Sequence, residues 1–212
     1  MIEILQQLMD FQQELDSNNL VIKEKFEYES TPADAAQIDT QRQLRRIEPT
    51  VLDYFAVQNG IDIKWKAADA SLVENEMVGT VKVNPFSEVV KDWSGVVFFD
   101  NEPTDSASRK FFPVDFFADE AAAGFCTKDD YRAMMYFFQF EGDLIPLHVT
   151  FSSYLQLMLH AKACYYWQYL IIAINNKKEN EVSERIKLHL PKVFPRFSFA
   201  GFEALYNNLR IK

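Results

Sequence analysis

The residues of this chain that could supply nucleophilic or metal chemistry are 3 histidines and 2 cysteines. His160 and Cys164 stand four residues apart, a spacing that would place two metal ligands on one face of a helix. No cysteine pair, second nearby histidine or acidic motif with metal spacing completes such a site. We therefore interpret the pair as a packed cysteine and a partly exposed histidine, and expect no bound metal.

Catalysis by carboxylates or by a thiol would need partners that the spacing does not bring together. Cys126 could act as a nucleophile only with a distant histidine as its base, and nothing near it indicates activation. Asp115 with Asp119, or Asp129 with Asp130, could do acid–base work only in a shared cleft with separated pKa values. Alternation along the apolar run around Asp115 favours an outward-facing strand position. We do not expect an enzyme.

The acidic charge of the chain argues against a nucleic-acid partner. The net charge is -9 and the pI is about 4.9, so a phosphate backbone would be repelled unless cations were gathered locally. The only such group, Arg42, Arg45 and Arg46, adjoins Glu48 and has the pattern of a solvated helix face. Trp65 and the other aromatic residues that could stack on bases have spacings typical of a core.

The sequence lacks several motifs that would indicate a cofactor, secretion or a membrane span. The 6 glycines are scattered, so no phosphate-binding loop and no cofactor are predicted. Residues 1–19 lack the cationic start of a secretory signal. The apolar stretch 155–174 contains Lys162 and two glutamines, which favours a buried helix over a membrane span. A cytoplasmic protein is expected. Its cysteines, Cys126 and Cys164, suit a reducing compartment, although a disulfide between them stays open.

The first sixty residues have helical periodicity with a polar interruption. Apolar residues three and four apart predict an amphipathic helix that ends near 17–19. Residues 27–40 are polar and predict a loop or a short extra helix. Pro49, followed by an apolar run and closed by Asn59-Gly60, predicts a short helix that leads into a sharp turn.

After this turn the hydrophobic period changes to two. Ile61, Ile63 and Trp65 alternate with charged residues, which predicts a half-buried strand. Further strands are predicted over residues 78–83, 96–99, 111–117, 131–140 and 144–149. The last two flank Glu141-Gly142-Asp143 as a hairpin, and Pro146 indicates an edge or bulged strand. Turn residues between the strands favour a mostly antiparallel sheet.

The remaining residues predict helices. A long helix that is capped by Thr150 or Ser152 and includes the apolar stretch 155–174 is followed by a helix over about 180–190. A last helical segment contains Phe199, Phe202, Leu205 and Leu209. We expect this tail to cover the apolar outer face of the long helix.

The order of these motifs resembles the SUKH superfamily. The run from Pro49 to Gly60 and the following strand with Trp65 are similar to the family's signature of a short helix, Asn-Gly and a strand bearing Trp. Gly79, the run 112–116, the hairpin around Gly142 and the closing helix over 151–167 follow in the family's order. The likeness covers about residues 1–170.

The resemblance implies an α+β fold in which helices pack on one face of a curved, mostly antiparallel sheet. Residues 1–174 would form this domain, and residues 175–212 a helical C-terminal extension packed on it. Bacterial members commonly act as immunity proteins that neutralise a toxin, often a nuclease, of a polymorphic toxin system, and a fungal branch regulates cell-wall synthesis through protein binding.

The resemblance therefore implies a non-catalytic protein that binds a toxin with a basic surface, and the acidic charge agrees with this. A regulatory scaffold with an endogenous partner is the alternative, and a small-molecule enzyme comes third. We expect no nucleic-acid or membrane partner. The acidic residues predicted to contact the partner are Asp62, Asp100, Glu102, Asp105, Asp115, Asp119 and Glu120.

Overall fold

The protein has a mixed α+β fold, as the sequence predicts, in which an antiparallel sheet of seven strands is not closed into a barrel. The structure is a computed structural model that describes residues 2–28, 31–44, 47–69, 71, 77–127, 134–140 and 142–211. The strands lie in the sheet in chain order, so each pairs with its neighbours in sequence.

The elements follow one another along the chain in this order: α1 (Ile2–Ser17), β1 (Val21–Tyr28), α2 (Ala35–Leu44), α3 (Pro49–Phe55), β2 (Ile61–Ala67), β3 (Val78–Val83), α4 (Phe86–Val89), β4 (Phe111–Ala118), β5 (Ala121–Cys126), β6 (Met135–Gln139), β7 (Leu144–Pro146), α5 (Phe151–His160), α6 (Gln168–Asn176), α7 (Glu181–Val193) and α8 (Phe199–Leu209). A short 3-10 helix, Ser108–Lys110, precedes β4.

The chain divides into two compact units. Unit 1 contains Met1–Glu27, Asp62–Val81 and Ser153–Ile211, and unit 2 contains Tyr28–Ile61 and Lys82–Ser152. Each unit therefore combines segments that are distant in sequence.

In unit 1, the core surrounds Trp65 of β2, which is 1% exposed. The Trp65 indole packs edge-on against Phe194, with ring centroids 4.9 Å apart, and its Nε1 donates to the carbonyl oxygen of Lys162 at 2.7 Å. The tail helices α7 and α8 both contact α6. The Tyr206 hydroxyl of α8 donates to Asn175 of α6 at 2.8 Å, which fixes one of these contacts.

In unit 2, the buried carboxylate of Glu48 organises the start of α3. It accepts hydrogen bonds from the Thr50 amide at 3.1 Å, the Thr50 hydroxyl at 2.6 Å and the Phe151 amide at 3.2 Å. Tyr54 of α3 then packs edge-on against Phe151, with centroids 5.2 Å apart. The predicted short helix at Pro49 thus begins on a side-chain cap.

The predicted hairpin is present as β6 and β7, where Phe137 faces Ile145 across the two strands. β7 ends the sheet, as Pro146 indicated. Glu141, within the predicted turn, lies outside the described residues, as do positions 131–133 of the predicted strand.

Two strands were not predicted. Half of the residues of β1 are charged, and β1 lies at one edge of the sheet. β5, Ala-Ala-Ala-Gly-Phe-Cys, has little strand propensity, yet all six of its residues are buried between β4 and β6. At Gly124 a Cβ would come 2.0 Å from the Phe112 carbonyl oxygen, so the small residue permits the close approach of β4.

Two predictions about elements were wrong. Residues 96–99 form a turn rather than a strand. The single helix expected over 155–174 is two helices, and Lys162, Ala163 and Tyr166 between them have φ values of +58°, +53° and +61°. The backbone of this break pairs with β3 instead of with a helix: Thr80 donates to Ala163 at 2.9 Å, and Tyr165 donates to Val78 at 2.9 Å.

Candidate protein-binding surface

Three of the predicted contact residues lie in one loop of unit 2, residues 90–107 between α4 and the 3-10 helix, which we call the acidic loop. Its base is apolar. Trp93 is 6% exposed, its ring stacks on Phe116 with centroids 5.4 Å apart, and its Nε1 donates to the Val89 carbonyl oxygen at 3.1 Å. The loop is therefore anchored in the core of unit 2 at its first turn.

Glu102 organises the rest of the acidic loop. Its carboxylate accepts hydrogen bonds from the Phe99 amide at 2.8 Å and from the hydroxyls of Ser106, at 3.4 Å, and Ser108. The Ser108 hydroxyl is the largest cause that holds the pKa of Glu102 below its usual value. Burial opposes it as the second-largest cause, and the Phe99 amide lowers the pKa further. The Glu102 carboxylate therefore accepts hydrogen bonds from the loop and from Ser108, which follows it.

Arg109 also holds the backbone of the acidic loop. Its Nη2 donates to the carbonyl oxygens of Phe99 at 2.7 Å and Glu102 at 3.1 Å. The guanidinium also lies over the Phe98 ring, 4.9 Å from its centroid. A carboxylate and a guanidinium therefore fix the same short segment of backbone.

Four predicted contact residues are exposed in unit 2. Asp100 and Asp105 are exposed in the acidic loop, and Asp119 and Glu120 are exposed in the turn between β4 and β5. These carboxylates give unit 2 a surface of negative charge that a basic partner could contact.

The prediction for Asp115 needs correction. The side chain is 0% exposed, whereas the alternation of β4 had favoured an outward position. Its carboxylate accepts a hydrogen bond from the Lys82 amide at 2.8 Å, next to the register pair of Val83 with Asp115. A bulge in the pairing of β4 with β5 around Asp115 breaks the alternation of inward and outward side chains. The Asp115 carboxylate therefore hydrogen-bonds inside the sheet and is not available on the surface.

Asp62 belongs to unit 1. Its side chain is 23% exposed, and one carboxylate oxygen accepts a hydrogen bond from Lys25 at 2.7 Å. The position is therefore a partly covered ion pair between β1 and β2.

The sequence did not indicate the apolar part of the acidic loop. Val96 is 43% exposed and Phe99 is 53% exposed. The β-branched and aromatic run predicted a strand with a buried face. The turn residues on both sides, Trp93-Ser94-Gly95 and Asn101-Glu102-Pro103, were the signal that this short run is part of a loop.

A break in the helix separates His160 from Cys164. His160 ends α5, and Cys164 lies in the break after it, so the two do not share a helix face. Burial raises the pKa of the Cys164 thiol to about 12. Among the described residues, no group of three His, Cys, Asp or Glu side chains could hold a metal ion.

The other residues with a possible chemical role are Cys126, Asp129 and Asp130. Cys126 is 6% exposed, and its thiol lies 3.8 Å from the Ala107 carbonyl oxygen. Both cysteines are thiols rather than halves of a disulfide. Asp129 and Asp130 lie outside the described residues, as do Arg45 and Arg46 of the predicted cationic group.

Unit 1 contains a cleft of about 430 Å³ beside His160. Its lining includes Phe11, Leu159 and Lys162, and Lys162 donates to Glu14 at 2.6 Å. Burial, followed by the charge of Lys162, lowers the pKa of His160. The imidazole is therefore neutral at pH 7.

No helix in the described part of the chain is long and apolar enough to cross a membrane. Compared with known proteins, the chain matches no protein-family model, no curated protein and no solved structure.

Proposed function

We propose that this chain is a non-catalytic protein-binding domain of the SUKH type that neutralises a toxin by stoichiometric binding in the cytoplasm. The observation that carries the proposal is the acidic loop, a hydrogen-bonded element that exposes Asp100 and Asp105 together with the apolar side chains of Val96 and Phe99. The net charge of -9 supports a basic partner, such as a nuclease with a cationic substrate cleft.

The order of the motifs supports the family. The helix at Pro49–Phe55, the strand bearing Trp65 and the close packing of Gly79 on that tryptophan are in the order that the resemblance implies. An endogenous partner of a regulatory scaffold could use the same acidic surface. The identity of the bound protein separates the two functions.

A small-molecule enzyme is a second candidate, favoured by the cleft that contains a neutral His160. A neutral imidazole can accept a proton from a bound molecule.

The first experiment is co-expression of the chain with each product of its neighbouring reading frames. A toxin is recognised because its expression alone arrests growth, and the proposed function expects the chain to restore growth. Mixing purified proteins should then abolish the toxin's activity at a one-to-one ratio, through a complex that weakens as salt rises. Arrest by a neighbouring product that the chain neither binds nor relieves would contradict the proposal.

Charge reversal tests the surface. Asp100→Lys with Asp105→Lys should slow association at low salt by about tenfold. A matched control, Asp39→Lys with Glu184→Lys, makes the same change in net charge at exposed positions of two helices. Equal association rates for the two double variants would show that the acidic loop is not part of the interface.

A further inference from the structure

Phe99 has an exposure unlike that of the other phenylalanines. The chain has 19 phenylalanines, all within the described residues, and Phe99 at 53% is the one that is exposed. Val96 of the same loop is 43% exposed. Single apolar residues are common on surfaces. The distinguishing features of Phe99 are the way its backbone is held and the charges around it.

Both backbone groups of Phe99 are held by charged side chains. Its amide donates to the carboxylate of Glu102 at 2.8 Å, and its carbonyl oxygen accepts from the guanidinium of Arg109 at 2.7 Å. The Glu102 amide donates to the same carbonyl oxygen at 3.0 Å. The ring therefore projects from a fixed backbone, so little backbone entropy would be lost when a partner binds it.

The charge around Phe99 restricts the chemistry of that partner. From Glu88 to Asp105 the sequence contains five acidic residues and one lysine, Lys91, which pairs with Glu88 at 2.6 Å. Arg109 adds one positive charge against the Phe99 carbonyl oxygen, so the acidic residues remain in excess. Phosphate groups would be repelled here. A protein surface in which Lys and Arg surround an apolar pocket would match both the ring and its rim.

We propose that Phe99 is the aromatic anchor of the interface and enters an apolar pocket of the partner protein, whose rim is rich in Lys and Arg. The inference rests on the proposed function, because it names the contact through which a bound toxin would be held. Central aromatic side chains surrounded by polar residues commonly dominate the binding energy of interfaces. Glu102 and Arg109 act as positioning residues for the ring.

A photo-crosslinking experiment tests the contact even while the partner is unidentified. The full-length chain is made with p-benzoylphenylalanine at position 99 or, as the control, at position 188, in cells that co-express the neighbouring reading frames. Leu188 of α7 is 61% exposed, so the control probe is at least as accessible. We expect an adduct with a basic protein from position 99 and none from position 188.

The matched truncations then measure the contribution of the ring to the complex. Phe99→Ala should weaken affinity for the crosslinked protein by about 30-fold or more, whereas Leu188→Ala should leave it within twofold. Circular dichroism and thermal unfolding of Phe99→Ala should match the unaltered protein, because an exposed ring is removed. Absence of a specific adduct at position 99, or undiminished affinity of Phe99→Ala, would overturn the proposal.

The outcomes separate this inference from the proposed function. If the chain restores growth while Phe99→Ala binds as tightly as the unaltered protein, the toxin-neutralising function stands and the anchor fails. If position 99 crosslinks to a basic protein that is not a toxin, and Phe99→Ala loses that complex, the anchor stands and the toxin-neutralising function fails.

Discussion

The indole nitrogen of Trp65 lies so close to Gly79 that a Cβ at position 79 would come within 1.9 Å of it. The same nitrogen donates to the Lys162 carbonyl oxygen at 2.7 Å, in a backbone segment where Lys162 has a φ of +58°. The indole thus links β2, β3 and the break between α5 and α6 within unit 1. A side chain at 79 would have to displace it.

Gly79→Ala should therefore lower the free energy of unfolding by about 3 kcal/mol, because the added methyl group overpacks the indole. Trp65→Ala should cost about 3–5 kcal/mol. In the Trp65→Ala background the methyl group at 79 no longer meets a ring, so its added cost should fall below 1 kcal/mol, roughly the intrinsic scale of strand propensity. Urea unfolding of the four proteins measures this cycle, and strict additivity would contradict the contact.

Glu48 caps α3 and holds the start of α5 through the Phe151 amide. Glu48→Ala should lower the free energy of unfolding by about 1–3 kcal/mol, because three donors lose their acceptor. Glu48→Gln keeps one acceptor oxygen and should cost less. Denaturant unfolding compares the two variants, and an unchanged stability of Glu48→Ala would show that hydrogen bonding to the carboxylate contributes little.

The pKa of Glu102 should respond to its serine neighbours in a fixed order. Ser108→Ala should raise the pKa of Glu102 toward its ordinary value, and Ser106→Ala should raise it less, because the Ser108 bond is the largest cause of the shift. Since the folded pKa lies below the unfolded one, this contribution to stability is present above the unfolded pKa and is lost as pH falls through the folded value. Carboxyl NMR titration measures the shift.

His160 should titrate below the ordinary histidine pKa of 6.5. The folded protein binds this proton less readily than the unfolded chain, so the contribution of His160 to stability falls as pH decreases from above 6.5 toward the folded pKa. Lys162→Met should raise the pKa of His160 by removing a nearby positive charge. Lys192→Met, near His189, is the control and should leave His160 unchanged in an imidazole NMR titration.

Cys164 should resist alkylation in the folded protein, because it is 1% exposed and burial raises its pKa to about 12. Iodoacetamide at pH 8 should modify it only after denaturation, as measured by peptide mass spectrometry. Rapid modification under native conditions would show that the break after α5 opens. Reducing agents should not change the melting temperature, since neither cysteine belongs to a disulfide.

The candidate surface was predictable in its charge but not in its geometry. Acidic residues at Asp100, Asp105, Asp119 and Glu120 were identified because net charge and turn residues can be read locally. The exposure of Phe99 depends on how Glu102 and Arg109 fold the backbone around it. These bonds join residues three and ten positions away, through side chains, so no local pattern reveals them.

By itself the sequence determined the elements whose signals are local. The helix at Pro49, the strands at 61–67 and 78–83, and the edge position of Pro146 follow from period, turn residues and the missing proline amide. The tertiary structure decided the rest. β5 is a strand because its small residues lie between β4 and β6. Asp115 is buried because a bulge turns its side chain toward the Lys82 amide. The helix breaks after His160 because β3 competes for its backbone hydrogen bonds. In each of these places a distant segment supplies the partner, and packing overrides the local preference.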